Sequence, residues 1–154
     1  MLKENKYLYL IFMTAGFIFL RSGYGKVTEG KFVGALASTL GKFAEKNPYP
    51  FFKDFLNNFA IPNSQLFGVL TQWGEVLTGL SLFFISAYIL FTGKSSKLLY
   101  LLLGLGLLGG MFLNGTFYLA SGWTSASTES LNLMMFLVEL IGLGYILNTR
   151  HKSG

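Results

Sequence analysis

Five residues that could do chemistry interrupt long apolar runs: Arg21, Lys26, Glu75, Asn114 and Glu139. Ionisable groups within a membrane are costly. They usually face a bundle interior or a wet cavity, and they often mark a path for ions or substrates. The arginine fork can hold a carbonyl or an oxyanion. A carboxylate can accept or relay a proton. An asparagine amide offers both a donor and an acceptor, which suits a carbonyl head group or a helix contact. Helix rise sets their depth. Arg21 and Asn114 lie about six residues from the outer end of their runs, Glu139 about nine and Glu75 about ten. All four therefore fall in the outer half of a bilayer, one from each run. This convergence predicts a polar pocket with Arg21 as one wall and Arg21–Glu75 as its ion pair. The alternative is that the pair fixes helix register and does nothing else. Lys26 is placed to snorkel to the outer interface.

The elements that must position these residues are read from hydropathy. The chain has 154 residues, of which 52% are hydrophobic and 12% charged. That charged share is about half of what a soluble domain carries, so the chain reads as an integral membrane protein with one domain, 1–154. A span needs roughly 20 apolar residues. Four runs are long enough: about 7–27, 65–91, 98–119 and 131–147. The first has Lys3 and Lys6 before it but no clear small-residue cleavage site, and three more spans follow. It reads as a span rather than a cleaved leader. The predicted fold is all-α, a four-helix membrane bundle. Lys3, Lys6, Lys94, Lys97, Arg150 and Lys152 flank the same side, which places both termini in the cytoplasm and the chain in a plasma (inner) membrane as a multi-pass protein. The basic residues act as membrane anchors, and a nucleic-acid partner is not expected.

The connection at about 28–60 shows helical periodicity. Phe32, Leu36, Leu40 and Phe43 recur at one spacing, "NPYP" at 47–50 breaks the pattern, and Phe51, Phe55 and Phe59 then recur at steps of four. This predicts two short amphipathic helices on the outer surface, as a cap over the bundle or a docking surface. Gly106 and Gly110 form a small-xxx-small pair suited to close helix packing. Asn132, Glu139 and Gly142 share one helix face, as do Gly110, Asn114 and Tyr118, and Thr78 follows Glu75 by three residues. Trp123 reads as an interfacial anchor. Trp73 stands between an anchor and a pocket wall. There is no Cys, and the lone His151 lies in the tail. Thiol catalysis, thiolate metal sites and histidine-ligated haem in the membrane are therefore not expected.

Three segments together resemble the DoxX/DoxD family of small four-helix membrane proteins. They are "FLRSGYGKV" in span 1, "WGEVLTGLSLF" in span 2 and "FLNGTFYLASGWTSASTES" from span 3 into the following turn. The resemblance covers about residues 12–147. It falls on Arg21, Gly23, Lys26, Glu75, Gly79 and Asn114. The turn after span 3 departs from the family pattern in lacking Asn-Pro after its Ser/Thr stretch. DoxD is the membrane subunit of a thiosulfate:quinone oxidoreductase. The resemblance thus implies a quinone-linked oxidoreductase subunit that takes electrons from a small donor, a sulfur compound being one candidate, with no metal and no haem.

Under that reading Arg21 and Glu75 are the catalytic residues. Arg21 and Lys26 attract the donor, Glu75 handles a proton, and Lys26, Trp73, Asn114 and Glu139 surround the quinone. The expected partners are the bilayer, quinone or another lipid, and a second protein subunit. The alternative is a non-enzymatic membrane subunit that binds lipid or scaffolds a partner.

Overall fold

The computed structural model describes residues 6–151, with side chains for 6–148. Among the described residues every regular element is helical. Helix α1 is Lys6–Glu29, α2 is Phe32–Glu45, and α3 is Pro50–Phe55, continued by a π-helical turn at Leu56–Ala60. Helix α4, Ser64–Leu80, passes through a second π turn, Ser81–Ile85, into α5, Ser86–Thr92. Helix α6 is Lys97–Ser121, followed by a 3-10 turn at Gly122–Thr124, and α7 is Ala126–His151. Four rods (α1, α4 with α5, α6 and α7) are long and apolar enough to cross a membrane, so the chain is a multi-pass membrane protein. Lys3 and Lys152, which entered the orientation argument, lie outside the described residues.

Local chemistry sets the boundaries. Gly30 and Gly93 adopt left-handed φ of 65° and 67°, which ends α1 and α5 without the penalty a Cβ would bring. Ser96 Oγ accepts from the Leu99 N–H and starts α6. Ser125 Oγ accepts from the Thr128 N–H at 3.1 Å. That cap starts α7 at Ala126, five residues before the apolar run at Leu131. Hydropathy alone could not find this start, because the first turns of α7 are polar.

Glycines bring the rods together. A Cβ on Gly79 would lie 2.7 Å from the Leu20 N and 2.9 Å from the Gly16 O. A Cβ on Gly23 would lie 2.8 Å from Val76 Cγ2. Helices α1 and α4 therefore touch backbone to backbone along Gly16, Gly23 and Gly79. On α6, Gly106 lies against Ser81 and Gly110 against the Glu139 carboxyl, so this small-residue pair serves packing within the chain. Gly142 of α7 receives the Phe12 ring of α1. The core that results includes Phe12, Leu82, Ile89, Leu103, Leu107 and Ile146, each no more than 1% exposed.

The cap lies at the end of the bundle away from the α5–α6 turn. Its buried stripe is Phe52, Leu56 and Ala60. Phe51 and Phe59 stay exposed, one position round the helix from that stripe, while Phe55 stacks on Phe52, Phe59 and Phe67. The cap is fastened at "NPYP". Asn47 Nδ2 donates to the Leu119 carbonyl at 3.0 Å and the Ala120 carbonyl at 3.4 Å, while its Oδ1 accepts from the Tyr49 N–H. Trp123 Nε1 also donates to the Ala120 carbonyl. Carbonyls at the end of α6 that lack intrahelical partners are thus satisfied by side chains.

Gly79→Ala is expected to lower the thermal midpoint in mild detergent, since overpacking of this kind costs roughly 1–3 kcal/mol. Gly144, which has open space around it, should accept alanine with no loss. Equal midpoints for the two variants would contradict the close α1–α4 contact.

Candidate functional site

Each residue of α1 turns about 100° from the last. Gly23 faces α4, so Lys26, three positions on, faces nearly the same way. Arg21, two positions back, faces the opposite side. Lys26 Nζ accordingly donates to both oxygens of Glu75, at 2.8 and 2.7 Å, and to Ser22 Oγ at 2.7 Å. It also lies 5.2 Å from the centroid of the Phe32 ring. Glu75 is 2% exposed and the Lys26 side chain 22%. The Arg21–Glu75 pair expected from sequence is not formed. Arg21 lies on the exposed face of α1 and makes no ion pair or hydrogen bond among the described residues. Lys26 takes its place and points inward rather than snorkelling freely to the interface.

The second buried carboxyl is Glu139, at 0% exposure. Asn114 Nδ2 donates to its two oxygens at 2.9 and 3.1 Å. No cation bonds to Glu139 among the described residues. The rotation of α1 that turns Arg21 away from Glu75 also keeps it from Glu139. Asn132, two turns along α7 on the same face, is 8% exposed, and its side chain makes no hydrogen bond among the described residues.

Glycine contacts give the relative heights. Thr78 Oγ1 lies where a Cβ of Gly109 would sit, and the Glu139 carboxyl lies against Gly110. Leu20 packs on Gly79. These residues form one layer near the middle of the spans. One turn towards the cap, Gly23 meets Glu75 and Gly74 meets Leu113. The Lys26–Glu75 pair and Asn114 therefore share a layer, and Glu139 lies one turn deeper. Beyond Glu139 comes the apolar core of Phe12, Leu82, Leu107 and Ile146.

The structure thus gathers Lys26, Glu75, Asn114 and Glu139 into two adjacent layers. Trp73 is 48% exposed on the outer side of α4 and stands apart from them, as does Arg21. Ser22 escaped notice in the sequence, although its four-residue spacing from Lys26 was a usable sign. Among the described residues no cluster of three or more His, Cys, Asp or Glu is arranged to hold a metal.

No protein-family model, curated protein or solved structure matches the chain at a significant level.

Lys26→Met should be strongly destabilising, by roughly 3–5 kcal/mol, because it leaves the Glu75 charge buried without a partner. Lys26→Met with Glu75→Leu should recover most of that loss. Arg21→Met should leave the detergent midpoint near wild type. Unfolding of the three variants, followed by helical circular dichroism, reads all of these outcomes.

Proposed function

We propose that the chain is a DoxX-like subunit of a quinone-linked membrane oxidoreductase, passing electrons from a small donor to membrane quinone. The observation that supports this most is the pair of buried carboxyls in adjacent layers with different partners. Glu75 is gripped at both oxygens by Lys26, whereas Glu139 is held by a neutral amide. A quinone that gains two electrons must also gain two protons to leave as quinol. A carboxyl with no fixed cation can change its charge without breaking an ion pair, so Glu139 is the better proton donor of the two. Glu75 then acts as a positioning residue that holds Lys26.

The Asn132 side chain makes no hydrogen bond among the described residues at 8% exposure, and its amide can donate to a quinone carbonyl between α6 and α7. Asn114 orients Glu139 beside it. In this reading the cap faces outward and the termini lie in the cytoplasm, as the lysine distribution suggests.

One observation favours the alternative of a lipid-binding or scaffolding subunit. Lys26 is engaged with Glu75, and Arg21 faces away from the cluster, so among the described residues no free cation meets an anionic donor there. The oxidoreductase reading therefore brings in electrons through a second subunit or at the cap surface.

Protein purified in mild detergent and extracted with organic solvent should yield quinone near stoichiometry by mass spectrometry. Glu139→Gln should retain that quinone but lose most donor-dependent reduction in native membranes. Phospholipid alone, even after incubation with excess quinone, would favour the binding or scaffolding reading. Full turnover in Glu139→Gln would remove Glu139 from the proton path.

A further inference from the structure

The outward face of α1 differs in kind from the outward faces of its neighbours. Leu10, Thr14, Phe17, Arg21, Tyr24 and Thr28 are all exposed. They follow steps of four and three residues, the spacing by which one helix seats a second along its length. Phe17 is 57% exposed and Tyr24 70%. The exposed stripe of α6, by contrast, is Leu101, Leu105, Leu108 and Phe112, a purely apolar surface suited to lipid. In the α1 stripe, Thr14 and Thr28 return their hydroxyls to the Leu10 and Tyr24 carbonyls and so satisfy themselves. Arg21 does not.

Arg21 follows Leu20, which packs on Gly79 in the same layer as Glu139. Its backbone therefore lies just to the cap side of that layer, about 12 Å short of the end of α1 at Glu29. A guanidinium facing hydrocarbon at that depth is expensive. The usual escape is to snorkel to the nearest head groups. Geometry opposes it here, since helical side chains lean towards their own N-terminus. For α1 that direction leads away from the cap and deeper into the membrane. The far interface, near Lys6, is about 22 Å away at 1.5 Å per residue, beyond the reach of one side chain.

We infer that this stripe of α1 is the docking face for a transmembrane helix of a different protein, and that the helix presents an Asp or Glu to Arg21. A second copy of the chain does not meet the requirement. Packing two such faces about a two-fold axis brings Arg21 towards Arg21. The carboxylates in the other spans, Glu75 and Glu139, are buried and already bonded. The inference stands on Arg21 and its stripe alone and does not depend on quinone chemistry.

The test uses photocrosslinking amino acids at Phe17 and Tyr24 of the full chain in its native membrane, with Leu105 as the control position. The crosslinked species is identified by mass spectrometry. The expected result is one polypeptide captured from both α1 positions and not from Leu105, with an Asp or Glu inside a membrane span. Arg21→Met should reduce capture at least tenfold, and so should conversion of that carboxylate to its amide. Arg21→Glu combined with the partner's carboxylate changed to Arg should restore it. The detergent midpoint of Arg21→Met, measured alongside, separates lost docking from lost folding. Phospholipid adducts alone, crosslinks between copies of this chain, equal capture at Leu105, or capture that survives Arg21→Met in a folded protein would each overturn the inference.

Discussion

A carboxylate without water must find its donors on neighbouring helices, and the two buried carboxyls of this bundle dictate much of the rest. Glu75 requires a cation, and Lys26 supplies it only if α1 presents the Gly23 face to α4. Glu139 requires a donor, and Asn114 supplies it only if α6 and α7 approach closely enough for the acid to lie on Gly110. Lipid tails are as apolar as leucine, so no hydrophobic force gathers helices within the membrane. Close packing and interhelical hydrogen bonds must do so. The polar residues and the glycines are thus two halves of one arrangement. The packed glycines each admit a neighbour, and four of those neighbours bring polar side chains: Glu75 at Gly23, Ser81 at Gly106, Thr78 at Gly109 and Glu139 at Gly110.

The cap follows from the same accounting of hydrogen bonds. The last carbonyls of α6 have no intrahelical donors, and at the membrane boundary they need partners. Asn47 and Trp123 provide them, and Asn47 also accepts from the Tyr49 N–H. One side chain therefore both turns the chain between α2 and α3 and ties it to the end of α6. The aromatic cluster around Phe55 and Phe67 then fixes the cap on α4. The segment 28–60 is joined to the bundle by specific bonds, not laid loosely over it.

Much of this was legible in the sequence, and the reason for the exceptions is physical. Hydropathy located four spans because hydrocarbon thickness sets a minimum apolar length. The polar start of α7 escaped because its signal is a serine cap, not apolarity. The sequence named Arg21, Lys26, Glu75, Asn114 and Glu139 as the polar residues of the spans and expected Arg21, Glu75, Asn114 and Glu139 to converge; the last three do, with Lys26 in the place of Arg21. It misassigned Arg21 because depth was weighed without rotation. Charge and depth favoured Arg21 as the partner of Glu75, yet Gly16 and Gly23, seven residues apart, already marked the face of α1 that meets its neighbour. Lys26 shares that face and Arg21 opposes it. In the cap, steps of four among Phe51, Phe55 and Phe59 gave the helix but not the buried stripe. Both sides of α3 are aromatic, and only the position of α6 and α4 decides between them.

The layers also give the buried cluster a direction. Between Glu139 and the end of the bundle near the α5–α6 turn stand Phe12, Leu82, Ile89, Leu103, Leu107 and Ile146, all essentially closed to solvent. Interiors packed in this way leave few voids large enough for water. On the other side, from Glu139 towards the cap, the same depth of bundle holds Asn114, Glu75, the partly exposed Lys26, Ser22 and Asn132. A proton or a polar head group crossing the first region meets a mainly apolar core that still holds the buried Tyr9 and the Ser86 hydroxyl, which has no partner among the described residues. Crossing the second, it passes from one hydrogen-bonding group to another. The approach to Glu139 from the cap end is therefore the more polar of the two.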